Sequence, residues 1–310
     1  MPLRIGEVPL TARRLAEAAR DSRPVGLEDS AWTRIAESHA TLERLAASEA
    51  AIYGVNTGLG AAVDTRIASG AGDVQRRVVL ARMVGVGPSA EPDQVRAVMI
   101  ARLAGFAVGR SGVSPDCARA YLDLVNAGIV PVMPLVGSVG EADLAPLAHI
   151  AGVLIGDGEV LAGREPLPGA TALRAAGLTP ARLGLKDGLA LVSSNAASVG
   201  LGALVLADAE RLFGAWLAAA ALGLEAYRAN VDPIRPAAVA LRPAPGQAEV
   251  SAALLALLDG GALVGPGAAR KLQDPLGFRC VGPVLAACLD ALRAAGAAIR
   301  LELNLSLIHI

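Results

Sequence analysis

The chain has 310 residues, of which 54% are hydrophobic and 18% charged, so it is long enough to bury a large core. Its formal net charge of −1 excludes the basic surface that binding to nucleic acid or to an anionic membrane requires. The mean hydropathy of +0.50 is high for a soluble protein, and it indicates helices that are apolar over most of their surface.

The cysteines and the N-terminus predict a cytoplasmic protein. The three cysteines, Cys117, Cys280 and Cys288, are odd in number and form neither a CxxC pair nor a zinc pattern with histidine. Reduced thiols are the simplest interpretation. The opening residues MPLRIGEVPL lack the charged and then apolar layout of a secretory signal. We therefore expect a cytoplasmic chain without a metal site.

Helical spacing of apolar residues dominates the first half of the chain. A helix cap is predicted at 29–30, and a second helix start at Pro92. The Ser-Pro pair at 114–115 predicts a further helix that ends near Gly128. Alternation of polar and apolar residues is rare, and only GDGEVLAG at 156–163 predicts a short hairpin.

The second half predicts two long apolar helices, at 196–228 and 281–303, joined by a proline-rich connection at 232–246. The uncharged run 188–207 is long enough to cross a membrane, but adjacent polar side chains at 193–195 interrupt it. A helix buried on all sides within a bundle explains this run better. The predicted fold class is therefore all-α.

The motif YGVNTGLG at 53–60 places a phenol in a glycine-rich loop. Its glycines allow tight backbone turns. Asn56 is expected to brace the loop through side-chain hydrogen bonds, with a substrate contact as the alternative. A phenol is a weak base at neutral pH unless cations or amide donors stabilise its phenolate. From the residues alone, Tyr53 is either structural or a candidate base.

The motif GSVGEADLAPLAH at 137–149 predicts a turn followed by a helix. Asp143 stands where a helix cap is expected. Glu141 is either a solvated loop residue or a carboxylate in a pocket, where it can face a cationic amine or act as an acid–base group. His149 is expected to be a hydrogen-bonded core histidine rather than a catalytic one.

A third motif, QDPLGFRC at 273–280, carries candidate ligand-binding residues. The guanidinium of Arg279 can bind both oxygens of a carboxylate, and Gln273 can donate to the same ligand. An arginine in an apolar segment can instead pair with an acid. Two further segments belong with these motifs, GLALVSSNA at 188–196 and ARMVGVG at 81–87.

Together these segments resemble the histidine and aromatic amino-acid ammonia-lyases, in the same order and over 5–303. The resemblance implies a fumarase/aspartase-like fold, with an N-terminal helical domain bearing the active-site loops at 1–195 and the start of a long central bundle at 196–303. It also implies a homotetramer whose active sites are assembled from several subunits. The last helix breaks into NLSLIHI, so we expect a truncated chain with a non-native tail at 304–310.

The resemblance implies roles for the site residues. Tyr53 matches the tyrosine that removes the β-proton of the substrate, and Arg279 lies in a motif that matches QDPYSLRC. Arg82 stands where histidine lyases carry a histidine that contacts the substrate. Ser193 replaces the asparagine that supports the carbonyl oxygen of the family's electrophile. With Asn195, these residues form the expected catalytic and substrate-binding set.

One departure from the family decides the expected chemistry. In the family, Ala-Ser-Gly follows GSVG and cyclises into an electrophilic methylidene-imidazolone ring. Here Glu141-Ala142 stand in that place, and Leu276 replaces the tyrosine beside the ring. We therefore expect no methylidene-imidazolone and no other cofactor. A literal Ala-Ser-Gly at 68–70 follows the tyrosine loop instead, where nothing indicates the strained turn that cyclisation needs.

The ring exists to turn a poor leaving group, a primary amine, into a good one, whereas a quaternary amine needs no such help. The sequence thus predicts a C–N lyase that eliminates an amine from a histidine-like or aromatic amino acid or its betaine, similar to the ergothionase-like members that lack the ring. The expected partner is that small substrate, with no nucleic acid and no membrane. Two alternatives stay open: a conventional ammonia-lyase, and a non-catalytic homologue that binds a ligand or forms a bundle.

Overall fold

A computed structural model describes residues 1–48, 51–67, 72–138, 140, 142–163 and 165–306 of the chain. The chain divides into two compact units. The first unit contains Met1–Leu204 and Ile299–Ile310, and the second contains Val205–Ala298. The sequence predicts a boundary after residue 195, before a long helix, whereas the observed division falls inside that helix.

Helices account for most of the described chain. In order they are α1 (Ala12–Arg20), α2 (Asp29–Ala46), α3 (Gly72–Leu80), α4 (Pro92–Ala107), α5 (Pro115–Asn126), α6 (Leu144–Leu154), α7 (Gly169–Ala175), α8 (Asp187–Val192), α9 (Ala196–Tyr227), α10 (Pro236–Ala240), α11 (Gln247–Leu258), α12 (Leu276–Arg279) and α13 (Val281–Glu302). The prediction of an all-α fold class is confirmed, and the two long predicted helices correspond to α9 and α13.

Short strands pair in two-stranded ladders. β1 (Leu3–Ile5) runs parallel to β2 (Val25–Leu27), β3 (Val86–Ser89) runs antiparallel to β4 (Pro134–Val136), and β5 (Glu159–Val160) runs antiparallel to β6 (Leu167–Pro168). The hairpin predicted within 156–163 is wrong, because β5 pairs with a strand beyond that segment. The β3–β4 ladder matters for the site, since the chain enters it from 81–85 and leaves it into 137–143.

Helix α4 forms the centre of the first unit. Every residue from Val95 to Ala107 is buried, and the helix packs against α1, α2 and α5. It begins at Pro92, as predicted, because the fixed φ of proline suits the first helical position. Glu91 and Gln94 form a reciprocal capping box at this start, which stabilises a helix by about 1 kcal/mol.

Of the two other helix starts predicted in the first half of the chain, one is confirmed and one is wrong. Ser114 caps α5 as predicted, because its Oγ accepts the N–H of Cys117 at 3.2 Å. The cap predicted at 29–30 is wrong, since Glu28 is the capping residue of α2 and makes no side-chain capping bond.

The buried carboxylate of Asp187 accepts the backbone N–H and the hydroxyl of Ser114 at 2.7 and 2.8 Å. It thereby ties α8 to α5.

The second unit has its own hydrophobic core. Its buried cluster includes Leu224, Val231, Ile234, Val250, Leu254, Leu258, Leu263 and Leu285. Tyr227 stacks on Phe278 with ring centroids 4.3 Å apart, and the guanidinium of Arg270 lies 4.9 Å from the Tyr227 centroid. These contacts hold the segment that carries α12 against the end of α9.

One helical stretch, Asp187–Tyr227, is long and apolar enough by length and composition to cross a membrane. However, 67% of its most apolar window is buried inside the protein. Such burial is what a core helix requires, so this window fits the buried helix that the sequence predicts, whereas Leu212 and Leu222 further along α9 are exposed.

The residues after α13 are joined to the first unit. Asn304 accepts the N–H of Leu10 at 2.8 Å and donates to its carbonyl at 3.0 Å. Leu303 is also buried. We expected a non-native tail at 304–310. Asn304, its first residue, belongs to the folded unit, and 307–310 lie outside the described residues.

Candidate functional site

The tyrosine loop folds on itself. The Tyr53 hydroxyl accepts the backbone N–H of Gly60 at 3.3 Å, and its side chain is 47% exposed. Asn56 is buried, and its Oδ1 accepts the N–H of Ile52 at 2.7 Å, which is the bracing contact expected from the sequence. Gly60 adopts a φ of +57°, a conformation that favours glycine. The loop thus exposes the Tyr53 phenol to solvent, and the Gly60 N–H donates to the phenol oxygen.

Gln75 of α3 attaches this loop to α8. Its Nε2 donates to the carbonyl of Gly54 at 3.0 Å, and its Oε1 accepts the N–H of Leu189 at 3.3 Å. Gln75 lies in none of the sequence motifs. A signal was nevertheless present, because Gln75 shares the buried face of α3 with Val78 and Val79 at helical spacing. A polar residue on such a face needs a partner.

Asp143 anchors the turn of the GSVGEAD motif. Its carboxylate accepts the hydroxyl of Ser138 at 3.0 Å, and the N–H and hydroxyl of Ser198 at 2.7 and 3.0 Å. Asp143 is the N-cap residue of α6, as predicted, but its side chain makes no capping hydrogen bond to that helix. It instead occupies the N-terminus of α9, where unpaired N–H groups and the helix dipole favour an anion.

The break between α8 and α9 carries two of the expected substrate-binding residues. Ser193 ends α8, and its N–H donates to Leu189. Asn195 donates from Nδ2 to Glu302 at 2.5 Å, so its amide is already engaged. The carbonyl of Ser194, between them, accepts the N–H of Asp143 at 2.8 Å. The break therefore lies directly beside the turn that Asp143 anchors.

Arg82 lies on the segment that enters β3. Its Nη1 donates to the carbonyl of Val78 at 2.9 Å, at the end of α3, where a cation is favoured. Three residues later, the N–H of Gly85 donates to Nε2 of His149 at 3.2 Å. His149 is thus a half-buried, hydrogen-bonded histidine, as predicted. Burial lowers its pKa, and the nearby Glu159 opposes this effect.

Glu141 lies outside the described residues, as does the triplet at 68–70. Its neighbours Gly140 and Ala142 both lie close to Ser138, whose Oγ accepts the Gly140 N–H at 3.4 Å and lies 3.4 Å from the Ala142 carbonyl oxygen. The residues between Gly140 and Asp143 do not fit a methylidene-imidazolone, because neither of them is a serine that could dehydrate. Ser138 is followed by valine and donates to Asp143.

The remaining candidates, Arg279 and Gln273, belong to the second unit. Gln273 is exposed, whereas Arg279 is half-buried at the end of α12. The Arg279 Nε is buried and has no hydrogen-bond partner among the described residues. Asp274 is buried, and its Oδ2 accepts the N–H of Asn230 at 2.5 Å. A buried N–H of a guanidinium that has no partner can donate to an anionic ligand.

The first unit therefore brings together the Tyr53 loop, the α8–α9 break, the turn anchored by Asp143 and the segment of Arg82. Buried polar side chains, Gln75 and Asp143, make the connections. The phenol with the Gly60 N–H at its oxygen is suited to proton abstraction, and the turn held at the N-terminus of α9 is suited to an anionic group.

Both the fold and these motifs define a family. The chain belongs to the aromatic amino acid lyases, whose family model matches residues 10–306. Among curated relatives, it is 40% identical over 299 residues to a histidine ammonia-lyase from Paracidovorax citrulli, covering 95% of this chain and 58% of the relative.

Solved structures give the same assignment. An ergothioneine-degrading ergothionase from Treponema denticola, in complex with desmethyl-ergothioneine sulfonic acid, superposes with a TM-score of 0.89 at 31% identity, covering 99% of this chain and 62% of that one. Pantoea agglomerans phenylalanine aminomutase gives a TM-score of 0.91 at 31% identity, covering 99% and 63%. The chain thus spans about three-fifths of the length of these relatives.

Proposed function

We propose that this protein is a C–N lyase that eliminates an amine from a histidine-like or aromatic amino acid or its betaine, without a methylidene-imidazolone. The observation that carries the proposal is a contrast between two segments. The Tyr53 loop is organised around its phenol, with the Gly60 N–H at the oxygen. The turn before Asp143 has no serine from which the family's ring could form.

In the proposed reaction, Tyr53 acts as the base. Its phenolate takes a proton from the carbon next to the one that bears nitrogen, and the C–H electron pair forms the new double bond. The C–N bond breaks, and the amine leaves with its electron pair. The Gly60 N–H stabilises the phenolate by donating to it. Arg279 binds the substrate carboxylate in the assembled protein, with Gln273 as a second donor.

A betaine substrate fits a site without the electrophile. A quaternary nitrogen leaves as a neutral tertiary amine, so neither a proton nor a covalent adduct is needed at the leaving group. Glu141 is proposed to face this ammonium, and Arg82, Asn56, Ser193 and Asn195 to line the substrate site. The likeness to an ergothioneine-degrading enzyme supports a histidine betaine as the substrate class.

The second candidate function is a conventional histidine ammonia-lyase. It is favoured by the 40% identity to an enzyme of that name. It requires a cyclised tripeptide, which would appear as the loss of two water molecules in the intact mass. The pair Glu141-Ala142 argues against this candidate.

We further propose a cytoplasmic homotetramer for the complete protein. Within the second unit, Val205, Leu212 and Leu222 of α9 are 66%, 70% and 70% exposed, and Val284 of α13 is 48% exposed. Large apolar side chains along helices are unfavourable in water and mark surfaces that further helices cover. Light scattering of the complete protein tests this proposal, and a monodisperse monomer contradicts it.

The experiment that tests the function uses the complete protein with ergothioneine or trimethylated histidine. We expect trimethylamine release and the absorbance of a conjugated acrylate. Tyr53→Phe should lower the rate by at least about 100-fold, the usual contribution of a general base. Tyr121→Phe is the matched control, because the Tyr121 hydroxyl is fully buried and makes no hydrogen bond among the described residues. Equal activity of Tyr53→Phe and the wild type contradicts the proposal.

A further inference from the structure

We propose that Gln75 is a positioning residue for Tyr53, which holds the tyrosine loop against α8 in the arrangement that the elimination requires. For its kinetic test, this inference rests on the proposed function of Tyr53. Gln75 contacts the backbone next to Tyr53 and not Tyr53 itself. It therefore acts through the loop, without touching the substrate.

Both ends of the Gln75 amide are used. Nε2 donates to the carbonyl of Gly54, the residue after Tyr53, at 3.0 Å. Oε1 accepts the N–H of Leu189 at 3.3 Å. The side chain is only 3% exposed, so water cannot replace either partner. Losing one bond would leave a buried polar group unpaired, which is more costly than the bond itself.

The three segments meet too closely to slide past one another. A Cβ on Gly188 would lie 2.3 Å from the carbonyl oxygen of Gln75. A Cβ on Gly54 would lie 2.4 Å from Cδ2 of Leu189. Gly188 allows the backbones of α8 and α3 to approach in this way, whereas the contact at Gly54 is with the Leu189 side chain. Gln75 therefore sits at a packed junction, where its two hydrogen bonds set the spacing of loop and helix.

This junction controls the orientation of the phenol. The Tyr53 side chain is 47% exposed, so its direction depends on its own backbone more than on packing around the ring. Gly54 adopts a φ of +73°, and its carbonyl is the point that Gln75 holds. If that carbonyl turns away, the Tyr53–Gly60 contact shifts with the loop.

The test compares Gln75→Glu and Gln75→Met with Val79→Ala in the complete protein. Gln75→Glu keeps the shape and the acceptor for Leu189 but replaces the Nε2 donor to Gly54 with a carboxyl oxygen. Val79 is fully buried on the same helix, and its truncation removes packing alone. For both Gln75 variants, we expect kcat to fall by about 10- to 100-fold with little change in KM, the size of effect that misplacement of a reacting group produces. Val79→Ala should lower the melting temperature and keep kcat.

Amide hydrogen exchange gives a readout that does not depend on turnover. The reporters are the N–H groups of Gly58, Gly60 and Ile67, which bond within the loop. They should exchange faster in Gln75→Glu and at the wild-type rate in Val79→Ala. Wild-type kcat or wild-type exchange in the Gln75 variants overturns the inference, as does the same change in Val79→Ala. If wild type releases no amine, the proposed function fails, and exchange alone decides whether Gln75 holds the loop.

Discussion

The carboxylate of Asp143 accepts both hydrogen bonds that Ser198 can donate, from the backbone N–H at 2.7 Å and from Oγ at 3.0 Å. Ser198 lies in the first turn of α9, where N–H groups lack helical partners. The same carboxylate also accepts the hydroxyl of Ser138. Asp143 thus fixes the turn at 137–143 to the start of the longest helix.

Asp143→Asn should destabilise the fold strongly. An asparagine has one acceptor oxygen in place of two, and its NH2 group would face donors at the start of α9. Loss of hydrogen bonds to a buried charged acceptor is expected to cost about 3 kcal/mol in the free energy of unfolding. Urea denaturation measures this change. Asp123→Asn, at an exposed position on α5, is the control, and an equal effect in the two variants refutes the role of Asp143.

Two helical glycines should respond to the same substitution with opposite signs. Gly188→Ala forces a Cβ against the Gln75 carbonyl at 2.3 Å, so overpacking should lower stability by about 2 kcal/mol. Gly214→Ala lies in α9 with nothing within 4 Å of the new Cβ. Its better helix propensity should raise stability by about 0.5–1 kcal/mol. Melting curves of both variants check the signs, and a stabilising Gly188→Ala contradicts the close approach of α8 and α3.

His149 should make stability depend on pH. Burial lowers its pKa in the folded state, so the unfolded chain binds more protons as the pH falls below the ordinary histidine value. Its contribution is therefore present above that value and is lost as the pH drops towards the folded pKa. In His149→Gln, an amide oxygen can accept the Gly85 N–H at every pH. The stability difference between wild type and variant should shrink as the pH falls below the ordinary histidine value, and a constant difference contradicts this account.

Arg102 should be needed more for its volume than for its charge. It is buried, it donates through Nε at 3.0 Å and also through Nη2 to the carbonyl of Ala190, and it lies 4.2 Å over the Phe106 ring. Burial lowers its pKa to about 10. Arg102→Ala leaves a cavity and should cost about 4 kcal/mol, whereas Arg102→Met fills most of the space and should cost less than half of that. Urea denaturation measures the loss of unfolding free energy in both variants, and equal losses contradict the larger role of volume. Arg211→Ala, at an exposed position, serves as the control.

Local features of the fold were predictable from the sequence. The starts of α4 and α5 were found because proline and serine act on the first turn of their own helix. The hairpin at 156–163 was wrong because the partner of β5 follows only after a longer connection. The parallel pairing of β1 with β2 gave no local signal, since a helix separates the two strands.

The sequence motifs indicated candidate residues but not their contacts. The brace by Asn56 was predictable because its loop is continuous in sequence, whereas the catalytic role of Tyr53 stays a prediction. The true partner of Asp143 was not found, because Ser198 lies 55 residues further along the chain and only the fold brings it close. Gln75 was not predicted for the same reason. Its partner Gly54 lies well before it in the sequence, and its partner Leu189 lies far after it.

The most direct test of the central claim is to measure which amine the complete protein releases. The same preparation is given ergothioneine and, separately, histidine, and the rates of trimethylamine and ammonia release are compared. A lyase that works without the ring should release trimethylamine much faster than ammonia, because only the quaternary nitrogen leaves without activation. Rapid ammonia release from histidine, or no trimethylamine from ergothioneine, would contradict the account.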